Sequence, residues 1–72
     1  MNNNFKAIYE FDSSAIASAV YNYETKKLSI TLPSGTYNYV SVPYYTFSGL
    51  VEARSKGKFF NKFIKNKFNF TN

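Results

Sequence analysis

Apolar and polar positions alternate along two neighbouring stretches of the chain, as they do in β-strands with one buried face. Over residues 27–32, three aliphatic side chains alternate strictly with polar ones. Residues 16–23 are rich in alanine, valine and tyrosine and predict a partner strand. The polar residues 22–26 between them have the composition and length of a hairpin loop. The pattern therefore predicts an antiparallel pair of strands.

A second turn follows at Pro33-Ser34-Gly35, where the glycine is available for a positive φ. Residues 36–40 resume the alternation, so we expect a third strand that completes an antiparallel meander. Residues 5–11 alternate more loosely and leave room for an additional N-terminal strand. Residues 1–4 include three successive asparagines, and we expect this segment to be frayed.

The spacing of apolar residues becomes helical after Pro43. Proline presets φ for a first helical turn, which makes it a suitable starting residue. One face of the following segment carries Phe47, Leu50, Val51 and Arg54. This i, i+3, i+4, i+7 spacing predicts a helix of about three turns.

Two glycines bear on the helical region. Gly49 lies inside the predicted helix at a cost of about 1 kcal/mol relative to alanine, so tertiary packing must hold it. Gly57 is expected to end that helix in the left-handed conformation. Residues 58–64 then fit a second short helix, and residues 65–70 alternate charged and aromatic side chains as an extended segment does.

The predicted fold class is α+β. We expect a three-stranded antiparallel meander, with an N-terminal strand as an optional addition, followed by two short helices packed on one face. The chain divides into an N-terminal segment, residues 1–10, and a single domain, residues 11–70. A core of this size supplies roughly 3–5 kcal/mol, so natural chains of this length often add disulfides, a metal or a partner subunit.

The residue types limit the chemistry of the chain. It contains neither cysteine nor histidine, which excludes disulfides and the usual zinc ligands. The four acidic residues lack calcium-loop spacing, so we expect no metal and no cofactor. Because a nucleophilic serine would need lysine as its base and no glycine-rich phosphate loop exists, we expect no enzyme. Self-association remains as a route to stability, and fifteen aromatic residues favour it.

Signals for membrane insertion and secretion are absent from the sequence. No stretch approaches the roughly 18–20 apolar residues of a membrane span. The N-terminus lacks the apolar core of a signal peptide. We therefore expect a cytoplasmic protein that does not associate with membranes.

The net charge of +5 favours anionic partners, and its distribution is more informative than its size. Asn, Lys, Phe, Tyr and Ile make up half of the chain, as an A/T-rich genome would dictate whatever the function. Six of the nine cations nevertheless fall within fourteen residues that contain no acid: Arg54, Lys56, Lys58, Lys62, Lys65 and Lys67. Phenylalanines, Phe59 among them, are interleaved with these cations. The segment is either a nucleic-acid-binding surface or an amphipathic helix whose lysines provide solubility.

Tyr37 and Tyr39 invite comparison with the sheet aromatics on which some RNA-binding domains stack bases. If residues 34–35 form a two-residue loop, Leu32 lies opposite Tyr37 and Ile30 lies opposite Tyr39. Both tyrosines then lie on the core face, whereas a three-residue loop would send them to the other face. The register argument favours the buried, structural interpretation.

Several motifs stand in order along the chain and resemble one family. In the first half they are Ser13-Ser14, Ile16, Val20-Tyr21 and Leu28. In the second half they are Tyr37-Asn38-Tyr39, Val42-Pro43 and Ser55-Lys56-Gly57-Lys58-Phe59-Phe60-Asn61, followed by Ile64 and Phe68. Over roughly residues 11–68 the chain resembles the KTSC domain, a small bacterial and phage domain named for its occurrence at the C-terminus of some lysyl-tRNA synthetases.

The resemblance implies a binding module, with RNA binding suggested by the attachment to a synthetase, and it carries over no catalytic residues. We therefore expect RNA or another nucleic acid at the basic C-terminal surface. One alternative is a protein-interaction module, such as a phage-encoded inhibitor of a host protein. Another is a homo-oligomer that binds a small anionic nucleotide. Asn61 is expected to satisfy local backbone groups rather than a ligand.

Overall fold

The computed structural model describes residues 6–71, so the expected fraying of residues 1–4 lies outside the described residues. Five antiparallel strands and two helices make up this part of the chain. In order they are β1 (Lys6–Glu10), β2 (Ser18–Asn22), β3 (Lys27–Leu32), β4 (Gly35–Tyr39), α1 (Tyr44–Glu52), α2 (Lys56–Phe63) and β5 (Phe70–Thr71). The strands lie in the sheet in chain order, which confirms the α+β meander with its additional N-terminal strand. Within residues 6–71, neither helix is long and apolar enough to cross a membrane.

One face of the sheet carries the hydrophobic core. Alternate residues of the three middle strands are buried on this face: Ala19, Tyr21, Leu28, Ile30 and Tyr39. The helices and the segments beside them supply the opposing layer, with Val42, Phe47, Leu50, Phe60 and Ile64. The period of two in the sequence therefore identified the buried face of the sheet.

The β3–β4 hairpin turns at Pro33 and Ser34, one residue earlier than the predicted loop. The observed register pairs Leu32 with Gly35, Ile30 with Tyr37, and Leu28 with Tyr39. The predicted pairs are therefore wrong by two residues. Because side chains alternate between faces, a slip of two residues preserves the face, and Tyr39 is buried as expected, with 3 % of its surface exposed. Gly35 adopts the positive φ expected of it, at +140°.

The first helix ends earlier than predicted, before Arg54, which lies in the connection to α2 and not on the apolar face of α1. The reason is Ser55, whose side chain accepts a hydrogen bond from the Lys58 N–H and caps the second helix. Gly57 accordingly lies inside α2 and does not end α1. A Cβ at Gly57 would approach the Cβ of Ala15 to 2.9 Å, so glycine lets α2 meet the β1–β2 connection closely.

Gly49 is a contact point between the two helices. A Cβ at this position would lie 2.6 Å from Cζ of Phe59, closer than packed carbon atoms approach. The missing side chain therefore lets the Phe59 ring lie against α1. Tertiary packing holds this glycine in the helix, as its position in the sequence predicted.

Residues 65–70 are not extended as a whole, which corrects the prediction for this segment. Residues 64–67 form turns, and a two-residue β5 then pairs with β4. The Val40 N–H donates to the Asn69 carbonyl at 3.0 Å and continues this pairing. The turns reverse the chain after α2, so that Phe70 returns to the sheet beside the tyrosines of β4.

Candidate functional site

A groove with a volume of about 520 Å³ runs between α2 and the β3–β4 hairpin. The sheet side contributes Tyr37, Tyr39 and Phe70, and the helix side contributes Phe60, Asn61 and Lys65. Residues far apart in the chain, including both candidate tyrosines and one candidate lysine, thus line one concave surface.

Aromatic rings form one wall of the groove. The Phe70 ring centroid lies 5.4 Å from that of Tyr37, edge-on, and 5.4 Å from that of Tyr39. Tyr39 also contacts Phe60, with ring centroids 5.9 Å apart. Phe70 is 48 % exposed and Tyr37 is half-buried. The accessible aromatic surface therefore belongs to Tyr37 and Phe70, while the buried Tyr39 supports them from the core.

Polar groups border the aromatic wall. The hydroxyl oxygens of Ser34 and Tyr37 lie 3.2 Å apart and share a hydrogen bond. Burial, with a smaller contribution from neighbouring Tyr37, raises the pKa of Tyr39, so this hydroxyl is neutral at pH 7. Lys65 and Asn61 are exposed on the helix side of the groove. Asn61 lines the groove, and the N-cap of α2 is provided by Ser55 instead. The groove thus combines ring surfaces, hydroxyl groups and a lysine side chain.

Three lysines continue the groove onto the solvent side of α2. Lys58 and Lys62 are exposed four residues apart on α2, which places them on one side of the helix, and Lys65 is exposed two residues after the helix ends. Lys67 is exposed on the turn that follows. Of the phenylalanines between them, Phe60 is buried but Phe63 is 45 % exposed, so they do not all point into the core. We call Lys58, Lys62 and Lys65 the basic face.

The remaining two of the six candidate cations, Arg54 and Lys56, lie at the N-terminal end of α2. Arg54 is exposed in the α1–α2 connection, where it borders a second, polar groove. The Lys56 ammonium instead donates to the carbonyl oxygens of Val51 at 2.8 Å and Ala53 at 2.6 Å. It also lies 5.2 Å from the centroid of the Phe11 ring. Lys56 therefore caps the C-terminal end of α1, where cations are favoured.

Replacing Lys56 with methionine should lower the free energy of unfolding by about 2 kcal/mol, because two charge-assisted hydrogen bonds are lost while the aliphatic stem is kept. Lys58→Met is the matched control, since Lys58 is exposed on the same helix and its loss should change stability by about 0.5 kcal/mol or less. Urea unfolding followed by circular dichroism measures both. Equal midpoints for the two variants would refute the capping role.

Phe59 lies on the far side of α2 from the groove. Its ring sits against Gly49 of α1, and its centroid is 4.7 Å from that of Phe63. The side chain is half-buried and ties the two helices together. Phe59 is therefore placed in the helix packing, apart from Tyr37 and Tyr39.

The sequence pattern did not predict a second aromatic cluster, which the structure shows around Tyr21. The buried ring of Tyr21 lies between those of Tyr23, Tyr44 and Phe47, at centroid distances of 5.5, 5.9 and 5.0 Å. The Tyr21 hydroxyl donates to the Val42 carbonyl at 2.6 Å, while Tyr23 and Tyr44 are 43 % and 51 % exposed. The i, i+2 spacing of Tyr21 and Tyr23 was the available signal, because such residues share a face of a strand.

The sequence pattern also did not predict that Phe70 lines the groove. It belongs to the groove because the turns after α2 return the chain to the edge of β4. The aromatic character of the segment was visible in the sequence, but its pairing partner was not. A contact between residues 39 and 70 depends on the geometry of both intervening helices.

Comparisons with known proteins agree with this architecture. The model of the KTSC domain family matches residues 12–68. The crystal structure of a KTSC domain protein from Yersinia pestis matches with a TM-score of 0.87 at 34 % sequence identity, covering 92 % of this chain and 94 % of that chain. A lysine–tRNA ligase of Nostoc punctiforme is 43 % identical over 60 residues, which are 82 % of this chain. The match covers 11 % of that ligase, so it concerns a small part of the larger protein.

Proposed function

This chain belongs to the KTSC domain family, and from that membership we propose that it is a non-catalytic cytoplasmic module that binds single-stranded RNA. One observation carries the proposal. The groove brings the accessible rings of Tyr37 and Phe70 together with Lys65, and the basic face begins at the same lysine. Ring surfaces beside a row of cations are the combination with which proteins bind single strands.

The relationship to a ligase supports RNA as the ligand. The Nostoc punctiforme relative is named for tRNA, and the region it shares with this chain is 43 % identical. A domain carried by a protein that acts on tRNA is suited to holding RNA. The basic face and the groove supply the charge and the ring surfaces that such a role requires.

A single strand fits the groove better than a duplex. Unpaired bases can be splayed out and stacked on aromatic side chains, whereas bases in a duplex keep their faces covered. Stacking on Tyr37 or Phe70 would contribute about 1–3 kcal/mol per base. The three lysines of the basic face can each neutralise one phosphate, which gives a slope of about −2 in a plot of log affinity against log salt for a single strand.

Fluorescence anisotropy with a short labelled RNA at several salt concentrations tests this function. The wild type should bind more weakly as salt rises, with the slope expected for three phosphates. Lys58→Glu with Lys65→Glu should lower the affinity on the order of tenfold or more. Lys26→Glu with Lys27→Glu is the matched control, because it changes the net charge equally at the β2–β3 turn, at the other end of β3.

A third variant separates stacking from charge. Phe70→Leu should lower the RNA affinity and leave the salt slope unchanged, because it removes a ring and no cation. Absence of salt-dependent affinity in the wild type would refute the proposed function. Equal losses in the two double variants would also refute it, since net charge alone would then explain the binding. A preference for duplex RNA would refute the single-strand assignment.

A protein-interaction module is a second candidate function, and the exposed tyrosines favour it. Tyr44 and its neighbour Tyr45 on α1 are 51 % and 76 % exposed, and Tyr23 lies beside Tyr44 with ring centroids 5.5 Å apart. Exposed aromatic patches of this kind mark protein interfaces. The RNA titration separates the two functions, because an interaction module without an RNA ligand would show no salt-dependent RNA affinity.

A further inference from the structure

In the part of the chain that the structure describes, no strand pairs with the outer edge of β1, and we propose that this edge joins a second copy of the chain in a two-fold dimer. β1 lies at the end of the strand order, and among residues 6–71 it pairs with β2 alone. An open edge presents unpaired N–H and C=O groups, which are a template for pairing with another strand. The sequence of β1 indicates which strand can pair with this edge.

The backbone hydrogen bonds identify the groups that face outward. The Phe11 N–H donates to the Ala17 carbonyl at 2.9 Å, in the register of the β1–β2 ladder. Since successive residues direct their backbone groups to opposite sides of a strand, residues 7 and 9 also bond to β2. The N–H and C=O groups of Lys6, Ile8 and Glu10 therefore point away from the sheet.

β1 is self-complementary about Ile8. In an antiparallel pair of β1 strands centred on this residue, Ile8 faces Ile8 of the second copy, and Lys6 faces Glu10 at both ends. All three outward-facing residues then form hydrogen-bonded pairs. Opposite charges directly across two strands are favourable, and like charges are not. Registers that place Lys6 opposite Lys6, or Glu10 opposite Glu10, are therefore disfavoured.

Apolar surface on β1 supplies the driving force for this pairing. Ile8 is 67 % exposed and lies beside Val20 of β2, so the dimer would form a continuous apolar row across its axis. On the helix side, the 44 % exposed Tyr9 would lie opposite Ala7 of the second copy. Burial of these side chains stabilises the pair, while the charges at the ends set its register.

The dimer leaves the RNA groove of each protomer accessible. That groove is lined mainly by α2, β4 and β5 and by no residue of β1, so dimerisation is independent of the proposed function. The two-fold pairing occupies both β1 edges and closes the assembly at two chains.

Sedimentation of the full chain from micromolar to millimolar concentration tests the dimer. The wild type should approach twice its 8.3 kDa mass as concentration rises. Glu10→Lys places a lysine opposite Lys6 at both ends and should weaken the dimer on the order of tenfold. Glu24→Lys is the matched control, since it makes the same charge change on the exposed β2–β3 turn and should leave the dimer unchanged.

Mixing two variants tests the register itself. Lys6→Glu and Glu10→Lys should each dimerise on the order of tenfold more weakly alone, because each creates like-charged pairs. An equal mixture of the two should regain the dimer, since every cross-strand pair then has opposite charges. The Ile8 amide should exchange hydrogen more slowly as wild-type concentration rises. A wild type that stays monomeric, or a mixture that does not recover the dimer, would overturn the proposal.

Discussion

Phe47→Ala should leave most of the protein unfolded at room temperature. Phe47 is 1 % exposed, and its ring stacks on that of Tyr21 with centroids 5.0 Å apart. It also contacts the rings of Tyr9 and Tyr44. Truncation of a buried phenylalanine costs about 3–5 kcal/mol. That loss is as large as the roughly 3–5 kcal/mol that a core of this size supplies.

Circular dichroism during urea unfolding measures this effect. Phe63→Ala serves as the matched control, because Phe63 is 45 % exposed and its truncation should cost about 1 kcal/mol or less. Folded spectra and equal urea midpoints for the two variants would contradict the importance of the Phe47 stack. The result would also show that the core depends less on aromatic contacts than its geometry indicates.

Gly49→Leu should lower the free energy of unfolding by about 3 kcal/mol, at the upper end of the usual cost of overpacking. A Cβ at this position would already lie 2.6 Å from Cζ and 2.9 Å from Cε2 of Phe59. Leucine is the better helix former by roughly 0.8–1 kcal/mol, so helix propensity alone predicts stabilisation. The sign of the measured change therefore separates packing from propensity.

A double-mutant cycle assigns the effect to the Phe59 ring. In a Phe59→Ala background the leucine should cost much less, because the ring that it displaces is absent. Thermal unfolding of the four proteins gives the coupling free energy. Additive effects of the two substitutions would show that the leucine clashes elsewhere.

The sheet was predictable because strand patterning has a period of two. Residues 27–32 identify one buried face, and this conclusion survives an error of two residues in the β3–β4 register. The end of α1 was not predicted, because the i, i+3, i+4, i+7 spacing of one face continues to Arg54, whereas the capping residue Ser55 starts a new helix. Local hydrogen bonding at Ser55 thus overrides a periodic pattern that extends beyond the helix.

The candidate site was only partly predictable, because the sequence pattern does not show where a helix ends. Charge along the chain identified Lys58 and Lys62, which the regular helix α2 places on one side, and Lys65, which follows in the turn after it. The same pattern included Lys56, whose ammonium turns back to the carbonyl groups that end α1. The position of a helix end decides whether such a lysine faces solvent, and composition contains no information about it. Phe70 depends likewise on the turns after α2.

The strand order of the sheet has a consequence for folding kinetics. β1 to β4 pair in chain order across short connections, so these contacts close small loops and should form early. The pairing of Tyr39 with Phe70 spans both helices in the sequence, so it closes a long loop and should form after them. Because it consists of two residue pairs, β5 should be the last strand to dock and the first to detach. Transient detachment would uncover the outer edge of β4 and widen the groove without disturbing the rest of the sheet.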